Sequence, residues 1–197
     1  IGKRHRDFEV LVDPFIGTEA AARRRDFTIN AIMEDVLTGE LVDHFGGMQD
    51  LKKGIIRHID TETFVEDPLR VFRGAQFASR FGFSVADETL ELCRGMDLSS
   101  LSRERVEDEL KKALLKGKNP SIFFEVLRRA GGLDAWFPEL KALIGLEQDP
   151  KFHPEGDVWT HTMVVLDRAA AYRKKKKKPY AFMLLALTHD FGKALTT

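Results

Sequence analysis

The feature that most restricts this chain is a change of pattern near residue 60. Before it, short runs of strand formers alternate with turns; after it, apolar residues recur at helical spacing. Phe8-Glu9-Val10-Leu11-Val12 carries strand formers and stops at Asp13-Pro14. Thr18 reads as the cap of a short helix. Residues 31–36, the Thr38-Gly39 turn and residues 40–43 read as a hairpin. Gly46-Gly47 turns the chain into a helix over 48–53, and 55–59 reads as another strand. Helices are then predicted over 61–64, 68–81 and 87–96, from Ser102 onward, from Asn119-Pro120 to the Gly131-Gly132 stop, and over 157–173 and 179–189. No strand signal is read beyond residue 60. The expected fold class is therefore α+β, a sheet-bearing piece followed by a helical piece.

Composition narrows the function classes. The chain has 197 residues, enough for one ordinary domain or two small ones. Lys+Arg and Asp+Glu are both 31, so the net charge is zero. That excludes a globally basic nucleic-acid binder and leaves room for a local basic patch. The lone cysteine, Cys93, cannot form an internal disulfide, which fits a reducing cytoplasm. Apolar runs such as 181–187 are too short to span a membrane, so no membrane partner is expected. The chain starts at Ile1 with no apolar leader and is expected to be a piece of a longer protein.

Three constellations carry chemistry. Arg23-Arg24-Arg25-Asp26-Phe27-Thr28-Ile29-Asn30 brings three guanidiniums that can hold phosphate oxygens, an acid that can orient one of them, and an amide suited to a ribose. A solvated charge run leading into a buried Phe-Ile pair fits the same spacing. Glu66-Asp67-Pro68-Leu69-Arg70-Val71-Phe72-Arg73 places Asp67, Arg70 and Arg73 three residues apart, neighbours on one helix face. A carboxylate beside a guanidinium offers an acceptor and a donor. Cytosine and adenine each present an amine next to a ring acceptor; uracil and guanine present a carbonyl there, facing the carboxylate with a second acceptor. A helix N-terminus with intrahelical salt bridges fits equally. The third constellation is His153-Pro-Glu-Gly-Asp157-Val-Trp-Thr-His161 with His189-Asp190-Phe191-Gly192-Lys193. Imidazoles and a carboxylate can ligate a divalent metal and activate its water; a simple helix cap is the alternative. Lys174 to Lys178 could touch an RNA backbone or form a solvated loop. Phe123, Phe124, Trp136 and Phe137 are spaced as core.

The order of motifs resembles a known family. Arg24-Arg25-Asp26-Phe-Thr-Ile-Asn30 precedes Asp43-x-x-Gly46-Gly47-x-x-Asp50, Glu66-Asp67-Pro-Leu-Arg70-Val-Phe-Arg73, Phe77-Ala-x-Arg80-Phe-Gly-Phe83 and Ser102-x-Glu104-Arg105-Val106-x-x-Glu109. This series is similar to the bacterial tRNA nucleotidyltransferases (CCA-adding enzymes) and their poly(A) polymerase relatives, within the polymerase-β-like superfamily. The resemblance implies template-independent addition of C, C and A to tRNA 3′ ends from CTP and ATP, with no stable protein partner. It assigns Arg25 and Arg73 to binding the incoming nucleotide, the segment from Arg23 to Asn30, with Arg24, Asp26 and Asn30, to the triphosphate and ribose, and Asp67 and Arg70 to reading the base. His161, His189 and Asp190 resemble an HD phosphohydrolase signature, which implies an unspecified divalent metal and phosphatase or 2′,3′-cyclic phosphodiesterase activity. The implied divisions are 1–60 (C-terminal part of a nucleotidyltransferase head), 61–118 (helical neck), 119–150 (helical body) and 151–197 (start of an HD domain).

Two departures qualify this. Gln76 stands where many members carry a second Arg, and it brings no charge to a triphosphate. The family's Gly-Gly turn with Asp-x-Asp, which would hold Mg²⁺, is absent, so no catalytic carboxylate is assigned and the chain alone is expected to be inactive in transfer. Asp7 and Glu9 share a strand face but are read as strand residues. The HD fold normally supplies a further Asp from a later helix, so the metal site is expected to be incomplete. Rival readings are a poly(A) polymerase or an A- or CC-adding enzyme, a non-catalytic RNA- or nucleotide-binding module, and an HD-type phosphohydrolase.

Overall fold

A computed structural model of the protein describes residues 16–196. The strand read over 8–12, with Asp7 and Glu9, lies outside the described residues. Helix α1 (Thr18–Arg23) leads through a 3-10 turn (Thr28–Asn30) to a hairpin of β1 (Met33–Glu34) and β2 (Leu41–Val42). Then come α2 (Gly47–Lys53), β3 (Ile55–Ile56), α3 (Thr61–Val65), α4 (Leu69–Phe81) and β4 (Ser84–Val85). The rest is helical: α5 (Asp87–Arg94), α6 (Arg103–Lys116), α7 (Ser121–Arg129), α8 (Leu133–Trp136), α9 (Pro138–Lys141), α10 (Val158–Tyr172), α11 (Pro179–Thr188) and α12 (Lys193–Thr196). The α+β class stands: a small sheet-bearing part followed by helices.

The hairpin forms as expected, antiparallel, with Met33 opposite Val42 and Glu34 opposite Leu41. The reading that strands stop at residue 60 is corrected by β4, which pairs in parallel with β3, Ile55 to Ser84 and Ile56 to Val85. Gly82 ends α4 at φ 73° and turns the chain back onto β3. A ladder of two residues is too short to leave an alternating pattern in the sequence.

Helix α4 is the spine. Val71, Phe72, Ala75 and Ala78 are buried on it, and it packs against α6 and α7. Its small residues let neighbours approach closely: a Cβ on Gly74 would sit 3.1 Å from Phe27 Cζ. Phe27 is fully buried and meets Phe64 and Phe77 edge-on, with centroids 5.7 and 5.9 Å apart. Phe72 starts a second set of ring contacts, with Phe123 and Trp136 at 6.3 and 6.2 Å. Phe123, Phe124, Trp136 and Phe137 are thus packing residues, and the Trp136 indole donates to the Leu98 carbonyl.

Helix capping departs from the expectation in three places. Thr18 is not a cap; Gly17 holds that position, and Thr18 Oγ1 instead meets His44 Nε2 at 2.8 Å. Ser102 has the extended backbone of a cap but makes no side-chain cap bond. The first turn of α7 is capped across space: Ser121 N and Oγ donate to the Asp167 carboxylate on α10 at 2.9 and 2.6 Å. Sequence spacing cannot show a cap supplied from 46 residues away.

Candidate functional site

One cleft of about 520 Å³ collects the residues of the first two constellations. Arg24, Arg25, Asp26, Asn30, Asp67, Arg70 and Arg73 all line it, joined by Leu69, Phe77 and Arg105. The Phe27 side chain, sunk in the core, fixes the segment carrying Arg24 to Asn30 against α4.

Asp26 is the buried hinge of this cleft. Its Oδ1 accepts from the Phe27 amide and from Asn30 Nδ2, both at 2.9 Å, and its Oδ2 accepts from Arg73 Nε at 2.7 Å. The expectation that it orients one of its neighbouring arginines is therefore corrected: it holds Arg73, 47 residues on. Arg73 also lies over the Phe77 ring at 5.5 Å, so its remaining N–H groups face the cleft from a fixed position. Arg23 is turned away, onto Glu19, Asp60 and the Phe45 ring. Two guanidiniums of the triple run, those of Arg24 and Arg25, reach the cleft, and both residues are exposed.

Asp67 and Arg70 do not sit on one helical face. Asp67 precedes α4, where Pro68 is the capping residue, and its Oδ1 accepts from the Leu69 amide at 3.2 Å. Its carboxylate takes Arg105 Nη2 at 3.0 and 2.9 Å. Arg70 donates to the Thr63 carbonyl and, at 3.2 Å, to the Arg24 carbonyl, and it lies over the Phe64 ring. The two side chains are thus braced by other groups and both open to the cleft. Arg105 is the cleft residue the site assignment from sequence passed over; its motif was visible, but nothing in the spacing ties it to Asp67.

The Asp43-x-x-Gly46-Gly47-x-x-Asp50 motif proves to be structural support. Asp43 accepts from the Gly47 and Met48 amides at 2.8 and 2.9 Å, capping α2. Burial would raise its pKa, but those backbone donors outweigh it and hold it below the usual carboxylate value. A Cβ on Gly47 would fall 2.2 Å from the Thr28 carbonyl oxygen, so only glycine fits. Buried Asp50 accepts from Thr28 Oγ1 at 2.8 Å and Arg57 Nε at 3.1 Å, tying α2 beneath the 3-10 turn that bears Asn30. Gln76 does not line the cleft. It is buried in α4, and its Nε2 has no hydrogen-bond partner among the described residues.

The third constellation forms a separate cluster. His161 is on the second turn of α10, His189 is the capping residue of α11, and Asp190 follows it. Single ligand atoms of the three lie within 4.8 Å of one another. Sequence reading left His153 and Glu155 out of this set. Glu155 Oε1 bonds His161 Nδ1 and lies 3.4 Å from His153 Nδ1. The His161 bond holds Glu155 at a pKa of about 2. Asp157 is an ordinary cap: Oδ1 accepts from Thr160 N and Oγ1 at 2.8 and 2.6 Å, and Oδ2 from the Gly145 amide at 2.7 Å. A donor set of imidazole and carboxylate suits several divalent cations. Lys174 to Lys178 are exposed. No helix of the described residues is long and apolar enough to cross a membrane.

Comparison with known proteins sets these sites in a family. Residues 4–57 match the family model for the Poly A polymerase head domain, and residues 82–144 match the model for the probable RNA and SrmB-binding site of polymerase A. The chain is 45% identical over 196 residues to the Multifunctional CCA protein of Halorhodospira halophila, covering 96% of this chain and 46% of the relative. It is 47% identical over 193 residues to the protein of the same name from Laribacter hongkongensis, again 96% and 46%. Among solved structures it is similar to a tRNA nucleotidyltransferase complexed with a primer tRNA and an incoming ATP analog, with TM-score 0.65 and 29% identity over 90% of this chain and 51% of that one. It is also similar to the Thermotoga maritima CCA-adding enzyme complexed with tRNA, at TM-score 0.63 and 26% identity over 87% and 41%. The chain spans about half the length of the curated relatives it matches. Nucleotidyltransferases of this family are metal-dependent. Shared motif order, sequence identity and fold agree, and the chain belongs to the family of bacterial tRNA nucleotidyltransferases and poly(A) polymerases.

Proposed function

We propose that this chain carries the nucleotide-selecting part of a cytoplasmic enzyme that adds C, C and A to tRNA 3′ ends from CTP and ATP. The observation that carries the reading is that Asp67 and Arg70 open into one cleft with Arg24, Arg25, Asn30 and Arg73. In that cleft the Asp67 carboxylate accepts from the exocyclic amine of cytosine or adenine, and Arg70 donates to the adjacent ring nitrogen. Uracil and guanine set a carbonyl against the carboxylate, which leaves an acceptor unpaired. Arg24, Arg25 and Arg73 meet the triphosphate, with Arg73 aimed by Asp26, and Asn30 serves the ribose. The sequence has no Asp-x-Asp. In the whole enzyme Mg²⁺ supplies activation of the attacking 3′-hydroxyl and charge neutralisation at the leaving pyrophosphate. The divisions 1–60, 61–118, 119–150 and 151–197, as head, neck, body and start of an HD domain, belong to the same proposal.

Titrating the chain with each nucleoside triphosphate tests the reading. CTP and ATP are expected to bind at least about tenfold tighter than UTP and GTP, the size of one mismatched buried hydrogen bond. Asp67→Ala is expected to erase that difference while the fold survives. Equal binding of all four by the unaltered chain overturns the proposal.

The histidine cluster supports a second activity. We propose that His161, His189 and Asp190 hold a divalent cation, which when bound supplies an activated water for phosphoester hydrolysis. The supporting observation is the convergence of three ligand atoms from two helix segments.

A further inference from the structure

We propose that Glu155 is a positioning residue which, with the Ala186 carbonyl, sets the tautomers of two imidazoles so that both aim a bare Nε2 at Asp190. The inference rests on the cation reading of this cluster. The argument is one of hydrogen-bond polarity. An ionised carboxylate only accepts, so the bond between Glu155 Oε1 and His161 Nδ1 requires the proton on Nδ1. A backbone carbonyl likewise only accepts, so His189 Nδ1, 2.9 Å from the Ala186 oxygen, must also carry its proton. A neutral imidazole has one N–H, and each Nε2 is left as a lone pair. Both lone pairs face the same oxygen: His161 Nε2 is 3.9 Å and His189 Nε2 is 3.4 Å from Asp190 Oδ2. In the neutral form of both rings, three electron-pair donors meet with no proton of their own between them. Such a meeting point favours a positive charge. Lys193 brings one: its ammonium donates to Asp190 Oδ2 at 2.8 Å and to Gln148 Oε1 at 2.7 Å.

Glu155 is itself held in place. His153 Nδ1 lies 3.4 Å from the same Oε1, and its ring stands edge-on to His161 with centroids 4.8 Å apart. Two residues on, Asp157 pins the segment to the first turn of α10 and to Gly145. The carboxylate is thus presented to His161 from a loop fixed at its far end. A partner of this kind to a metal-binding imidazole typically changes metal affinity 10- to 100-fold, as an order of magnitude.

Two measurements on the chain decide the matter. Long-range proton–nitrogen NMR of the metal-free protein reads the tautomers directly; His161 and His189 are both expected as Nδ1–H. Glu155→Ala is expected to release His161 from that form and leave His189 unchanged, whereas Glu155→Gln, whose amide oxygen still accepts, retains it. Titration with Co²⁺ is then expected to weaken about 10- to 100-fold in Glu155→Ala, with partial recovery in Glu155→Gln. A His161 tautomer and a Co²⁺ affinity both unmoved by Glu155→Ala overturn the positioning role. No Co²⁺ binding by the unaltered chain, or equal binding by Asp190→Ala, overturns the cation reading instead, and the tautomer result still decides the role of Glu155.

Discussion

The nucleotide cleft and the histidine cluster hold their charges in different ways. In the cleft, each working group has a brace far along the chain: Asp26 has Arg73, Asp67 has Arg105, and Arg70 has the Arg24 carbonyl. Those groups and their braces sit on α4, its N-terminal approach, α6 and the segment carrying Arg24 to Asn30, over the buried hydrophobic core. In the cluster, the groups come from a loop and two helix ends, and their bracing is local, Glu155 to His161 and Ala186 to His189. The cleft should therefore fail when the core fails, and the cluster should be separable from it. A rigid floor suits a site that must tell one base edge from another. A metal supplies its own rigidity once it binds, so its ligands can sit on looser elements.

Phe27→Ala should have the largest effect. It removes a fully buried ring from between Phe64 and Phe77 and should cost about 3–5 kcal/mol in urea unfolding. A loss below about 1 kcal/mol would break the claim that the cleft hangs on the core. Asp26→Ala comes next. It strands Arg73 and Asn30, and because Arg73 is about a third exposed the stability loss should be only about 1–3 kcal/mol. CTP binding should weaken in this variant, while Co²⁺ binding at the histidine cluster stays unchanged; a parallel loss of both would show that the two regions are not separable.

The smallest effect is one of pH. Burial, followed by the nearby Arg57 charge, holds His58 below its ordinary pKa of 6.5. Its Nδ1 meets Thr89 Oγ1 at 2.8 Å, and its ring lies against Phe64. A base with a lowered folded pKa is most stabilising when neutral. Its contribution is complete above pH 6.5 and is lost as pH falls from there through the folded value. The unfolding free energy should decline on acidification across that window, and His58→Asn should flatten this part of the curve. An unchanged slope would remove His58 from the account.

Much of the architecture was legible because it is local. Gly46-Gly47, Thr38-Gly39 and the apolar spacing of α4 act through residues a few positions apart, and each produced the turn or helix expected. What escaped acts at a distance. Asp167 capping α7, Arg105 on Asp67 and β4 beside β3 join residues that no period or spacing links. The short helices α8 and α9 are one turn each and leave no periodicity. At the sites, motif order collected the cleft residues, but which carboxylate holds which guanidinium depended on how the segments pack. Glu155 was in view as part of His-Pro-Glu-Gly-Asp; only the fold shows that it faces His161.

The parallel pairing of β3 with β4 has a consequence for how the molecule assembles. Parallel neighbours cannot be joined by a tight turn, so residues 57–83, including α3 and α4, form the crossover between them. During synthesis Ile55 and Ile56 leave the ribosome before their pairing partners exist. The edge of β3 that Ser84 and Val85 cover stays open until they emerge, and their pairing closes a loop that contains the spine helix.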